Sequence, residues 1–347
     1  MFWKCVPVVF ISIWLVSCSG GPWVARIDGN HPITLSDFRD EFKSFARISG
    51  LTKSDIERFY DNEDEKREFL AKMVDKEMIY LAAIKEKIDT NASVKKTLLE
   101  QTENQIVQFY AYSLIGTNAN VTEAETMAAF RELSPRLAMM NGGRPVAYQS
   151  VQREITGMVA QKKLTEKYKE VVDAAKKEFN VVIDAAKDPM IVAAGVTNIS
   201  KAEVDEKVKK LEEAGVVPAE RRGEVRTLTI ENIAGVTALR LKAKKTGYWN
   251  GAEAKTAARL ARKQVLIEEY ISRRMKNVPA EPTEAELDQI NAVYGKQYGL
   301  DQMPYGEQRK RLIMMAKQIR VGQQQKAIVD ALKESRRIEK KVEAIKQ

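Results

Sequence analysis

The chain has 347 residues, with 57 Lys or Arg, 48 Asp or Glu, a single His and two Cys. Its formal charge of +9 favours acidic partners or anionic lipid, but the signs alternate, as in the run Lys201 to Lys210, and read as solvated helix faces rather than a nucleic-acid patch. One histidine, His31 in a polar turn beside Pro32, leaves no histidine metal site or triad, and neither a phosphate-binding glycine loop nor a GxSxG serine motif occurs.

At the start, Lys4 precedes an apolar run from Val6 to Val16 that is too short to span a bilayer and reads as a signal peptide over residues 1–17. Its end, Leu15-Val16-Ser17-Cys18, resembles a bacterial lipobox, so Cys18 is expected to carry acyl chains and to anchor the protein at about 0.8 kcal/mol per buried methylene. Cys5 would leave with the signal, which removes thiol chemistry from the mature chain. Ser19 in place of Asp points to the outer membrane, with the body facing the periplasm, and export itself argues against nucleic acid.

Trp23 to Ile27 alternates as a strand, and Asp28-Gly29 turns out of it. Thr34-Leu-Ser-Asp37 has the form of a capping box, opening a helix whose inward stripe is Phe38, Phe42 and Phe45. Helices follow from Asp64 to Ile88, with Leu70, Met73, Val74 and Met78 inward, and from Val94 to Leu114. Thr122-Glu-Ala-Glu125 caps a helix through Met127 and Phe130. Two prolines and Gly142-Gly143 predict a loop over Ser134 to Ala147. A long helix from Tyr148 to Phe179, with Ile155 and Met158 inward, closes in the strand Asn180 to Asp184.

The same order of signals then returns. Val24 to Phe38 lies against Met190 to Val204 at an offset of 166, pairing Gly29 with Gly195 and Asp37 with Glu203 in a second capping box, Ser200-Lys-Ala-Glu203. Met73, Ile79 and Ala83 lie against Ile233, Leu239 and Ala243 at 160, and Thr122-Glu-Ala-Glu125 against Thr283-Glu-Ala-Glu286 at 161. Tyr148 and its helix correspond to Tyr305 through Ile338, with Met314-Met315 in the core, and Val181 to Ile183 to Val342 through Ile345. The sequence thus predicts a mainly α protein of two tandem modules, 18–188 and 189–347, each with a small strand pair formed by its own two ends.

"VARIDGNHPITLSDF" at 24–38, "FLAKMVDKEMIYLAAIKEKI" at 69–88 and "VTEAETMAAF" at 121–130 resemble the amino-terminal helical module of the SurA, PrsA and PpiD group of envelope chaperones. That resemblance covers the first copy well and the second faintly. Relatives in that group carry a parvulin prolyl isomerase inserted ahead of the long helix; here the insertion point, Ser134 to Ala147, is too short for one. The resemblance therefore implies ATP-independent holding of unfolded outer-membrane or secreted proteins, with no catalysis, cofactor or metal. The alternative is an adaptor that binds one fixed envelope partner. A crevice is expected between the helices and the long helix, and methionine suits varied clients. Met127, Phe130, Met139 and Met140 are the candidate client-facing residues, with the alternative that Met127 and Phe130 are core.

Overall fold

A computed structural model describes residues 22–116, 120–195, 197–213, 221–275 and 281–346; the signal peptide expected over residues 1–17 and Cys18 lie outside them. A first run of elements comprises β1 (Trp23–Ile27), β2 (His31–Thr34), α1 (Leu35–Ile48), α2 (Lys53–Asp61), α3 (Glu63–Lys85), α4 (Ala92–Ile115), α5 (Glu123–Met140), α6 (Tyr148–Glu178) and β3 (Val182–Ile183). The second comprises β4 (Ile191–Ala193), β5 (Thr197–Ile199), α7 (Lys201–Glu213), α8 (Arg222–Lys245), α9 (Ala252–Met275), α10 (Glu284–Tyr294), α11 (Tyr305–Glu334) and β6 (Ile338–Lys340). The protein is mainly helical, with two small three-stranded antiparallel sheets among the described residues. Apart from α2, the two runs keep one order.

The helix starts follow from local chemistry. The Thr34 hydroxyl accepts from the Asp37 amide at 3.1 Å while the Asp37 carboxylate accepts from the Thr34 amide at 3.0 Å, which satisfies donors that a helix start otherwise leaves free. Thr122 with Glu125, Ser200 with Glu203 and Thr283 with Glu286 repeat the arrangement. So do Thr52 and Asp55 at α2, a helix not anticipated from the sequence. His31 opens the exposed end of β2 instead of lying in a turn.

One expected loop is largely helix: α5 runs through Pro135 to Met140. Arg136-Leu-Ala-Met-Met140 is a run of good helix formers, and the stop comes from Gly142 and Gly143, whose positive φ of 66° and 81° lets the Gly143 amide close on the Ala138 carbonyl at 2.8 Å. Glycine, and not proline, ends this helix.

The sheets pair differently from expectation. β1 lies between β2 and β6, with Ile27 opposite Ile338 and Ala25 opposite Lys340. β3 pairs with β4, Ile183 opposite Ile191, and β4 with β5. Each run's closing strand thus joins the other run's opening strand, and no strand pair forms from the two ends of one module. Residues 342–344, expected as strand, form a 3-10 turn that sends Val342 and Ile345 into the core.

Packing follows the same exchange. Val342 and Ile345 join Val24, Phe38, Leu70 and Met73 in one core, with Val329 and Leu332 of α11 against it. Ile79, Ala83 and Leu98 pack with Val265, Leu266 and Tyr270 of α9; Val107, Ala111 and Ala175 pack with Ala238 and Leu239 of α8. The physical cause is that α3 and α8 are apolar on more than one stripe, so each needs a long helix as well as its own run to cover it. The joint at Asp188-Pro189 divides the sequence into two runs, and the core passes across it. α10 and α11 form a hairpin with a core of its own, Leu287, Ile290, Leu300 and Leu312; α5 and α6 form the corresponding hairpin.

Candidate functional site: a cleft beside the long helix

A cleft of about 1110 Å³ opens between α4, α6, α7 and α8. Its floor is α4 from Lys96 to Tyr112: Lys96, Leu99, Glu103 and Val107 recur at the three- and four-residue spacing that places side chains on one side of a helix, and Asn104 and Tyr112 flank them. At about 1.5 Å per residue this face is ~24 Å long, the span of roughly seven residues of extended chain. Gln161, Leu164 and Tyr168 of α6 form one wall. Glu206, Lys207 and Leu211 of α7 form the other, with Asn232, Ile233 and Arg240 of α8 at the base and Arg47 of α1 at one end.

The second run explains why the cleft is open. At an offset of 160, α9 presents Thr256, Arg259 and Lys263 where α4 has Lys96, Leu99 and Glu103. There α1 closes over the helix: Arg259 bonds Asp40 at 2.9 Å and also pairs with Asp37, and Lys263 pairs with Glu77 of α3. α7, at the place of α1, offers Glu203 and Glu206 to α4, but Leu99 stands at the position of Arg259 and cannot bind them; it is 66% exposed. α1 is further held by aromatic rings, Phe42 stacked on Phe59 of α2 at 3.8 Å and Phe38 edge-on to Phe69 of α3 at 5.3 Å. α7 carries Val204, Val208 and Leu211 at those α1 positions, Phe38, Phe42 and Phe45, and so lacks the ring contacts that hold α1. Lys207 pairs with Glu100 at 3.5 Å between α7 and α4.

The lining mixes apolar side chains with amides and charges. Its acids are engaged within the protein: Glu103 with Arg240 at 3.3 Å, Glu206 with Lys210 at 2.9 Å, and Glu203 in the α7 capping box. The Lys210 hydrogen bond holds the Glu206 carboxyl below the usual range, and burial pushes the Tyr168 phenol up. The guanidiniums are less well satisfied: the Nε atoms of Arg47 and Arg240 are buried without a hydrogen-bond partner.

None of the four sequence candidates lines this cleft. Met127 and Phe130 are half-buried between α5 and α6, where the Phe130 ring meets Tyr148 at 5.3 Å. Met139 and Met140 end α5, 75% and 77% exposed. Met158 and Met314, expected in the core, are also more than half exposed, because α6 and α11 are too long for one neighbour to cover. The residues that sequence reasoning missed are Leu99 and Arg47; comparing position 99 with 259 across the repeat was the signal that could have found the first.

Among the described residues no group of three or more His, Cys, Asp or Glu is placed to hold a metal ion, and no helix is long and apolar enough to cross a membrane. Comparison with protein-family models, with curated proteins and with solved structures finds no match for this chain.

Proposed function

We propose that the chain is a non-catalytic polypeptide-holding protein of the bacterial envelope, built by tandem duplication and anchored through Cys18, with the cleft as its client site. The observation that carries this reading is the open face of α4. It is long enough for an extended segment of about seven residues; with the walls it is apolar at Leu99 and at Leu164 of α6, and supplied at Asn104, at Gln161 of α6 and at Asn232 of α8 with amides that both donate and accept. Such a surface suits a backbone whose side chains vary. Met139, Met140 and Met158, each exposed on the α5–α6 hairpin, add pliable apolar surface. The resemblance of residues 24–38, 69–88 and 121–130 to the envelope chaperones points the same way.

The test is light scattering of a urea-unfolded outer-membrane barrel protein diluted into buffer with residues 19–347. Near-stoichiometric suppression of aggregation is expected, reduced by Leu99→Arg, which gives α7 its missing partner. No suppression with several unrelated clients would sink the holding reading and favour an adaptor with one dedicated partner. Membrane fractionation of wild type beside Cys18→Ala tests the anchor: the variant that still matures and partitions normally would refute it.

A further inference from the structure

We infer that the cleft selects segments bearing acidic side chains, and that Arg47 and Arg240 receive their carboxylates; this deepens the client-site reading and rests on it. Arg47 is the better buried of the two, its side chain 10% exposed, and its ion contact with Glu253 of α9 is long, at 3.6 Å. A guanidinium has five donors, and one held away from water with a single long contact is under-compensated. Arg240, 32% exposed, has Glu103 at 3.3 Å and an unpartnered Nε of its own.

The remaining charges in the cleft do not remove this demand. Glu100, Glu103, Glu203 and Glu206 are each bonded to a lysine, an arginine or a capping serine. Lys96, exposed at the other end of the α4 face, helps hold down the Glu206 carboxyl but lies outside ion-pair contact with it among the described residues. What is unspent along this face is therefore donor capacity and positive charge, and the group that matches a planar guanidinium in two parallel hydrogen bonds is a carboxylate.

The experiment compares two fluorescein-labelled heptapeptides with the same leucines and valines, one carrying two glutamates and the other glutamines, by anisotropy against residues 19–347. The glutamate peptide is expected to bind about tenfold tighter or more, the range of a charge-assisted hydrogen bond. Arg240→Gln, at the more exposed position, and Arg47→Gln should each narrow that gap while leaving the glutamine peptide's affinity unchanged; circular dichroism confirms that each variant folds. Equal binding of the two peptides by the wild type would overturn the selectivity and leave the client site standing. A gap unchanged in both folded variants would overturn the assignment to these arginines. Binding of neither peptide would remove the client site and the inference with it.

Discussion

A methyl group at position 235 would sit 2.8 Å from Cγ1 of Val172, which is how closely α8 approaches α6. Gly235→Ala gains up to ~1 kcal/mol of helix propensity but must displace a packed side chain, at about 1–3 kcal/mol. A net loss of stability in urea unfolding is expected, recovered when Val172→Ala is added. A single variant as stable as wild type would show that the two helices part more easily than their packing implies. Phe38, Phe42, Leu70, Met73, Val74 and Met78 were legible as core from their spacing and are all buried. Phe45, in the same stripe, is 47% exposed because the ring cluster is completed by Phe59 of α2. Spacing names the face of a helix that turns inward, but not how far along that face the neighbour reaches.

Both helical hairpins are closed by the same clasp. Glu125, in the α5 cap, takes a hydrogen bond from Lys163 of α6 at 2.7 Å; Glu286, in the α10 cap, takes one from Arg320 of α11 at 2.9 Å. Lys163 and Arg320 stand at equivalent places, 157 apart, as do Tyr148 and Tyr305. These cations, with the threonine caps, hold each glutamate down to about 2 from an ordinary value near 4.5. A carboxyl held down in the folded state adds stability that is complete above its unfolded value and is lost as pH falls through the folded one. Both clasps are therefore expected to stay whole above about pH 4.5 and to weaken between pH 4.5 and 2. Amide NMR shifts of Thr122 and Thr283, whose N–H groups donate to these carboxylates, report it; shifts that move with a midpoint near pH 4.5 would contradict the coupling. The caps were readable because four residues suffice to encode one. α2 was equally readable, in Thr52-Lys-Ser-Asp55 with Ile56, Phe59 and Tyr60 behind it. The partners of the two- to five-residue strands were not, since Val24 to Ile27 fits either Val181 to Ile183 or Ile338 to Lys340.

At the scale of the molecule, each run of elements leaves its core unfinished until the other arrives. β1 needs β6, α3 needs α11, and α8 needs α6. Residues 22–184 and 189–346, produced as separate polypeptides, are expected to lack a cooperative unfolding transition alone and to regain one as a 1:1 complex on mixing. A cooperative transition from either polypeptide by itself would show that a run is self-sufficient. The cleft belongs to this scale too, and for that reason it was hidden in the sequence. It exists because α7 fails to close on α4 as α1 closes on α9, a difference carried by Leu99 against Arg259 and by two valines against two phenylalanines. No local pattern announces a contact that is not made.

The pairing of β1 with β6 also sets an order in time. A chain delivered from its amino end presents β1 and β2 early, yet Ile27 meets its partner only when Ile338 has arrived, whereas Ile183 finds Ile191 almost at once. Each doubling of a closing loop costs about 0.6 kcal/mol, and the two closures differ by roughly five doublings. The sheet at the start of the chain is thus the last to be completed, and Val24 and Ile27 remain only partly covered through most of the protein's own delivery. A protein proposed to shelter unfinished chains would itself, for that interval, need sheltering.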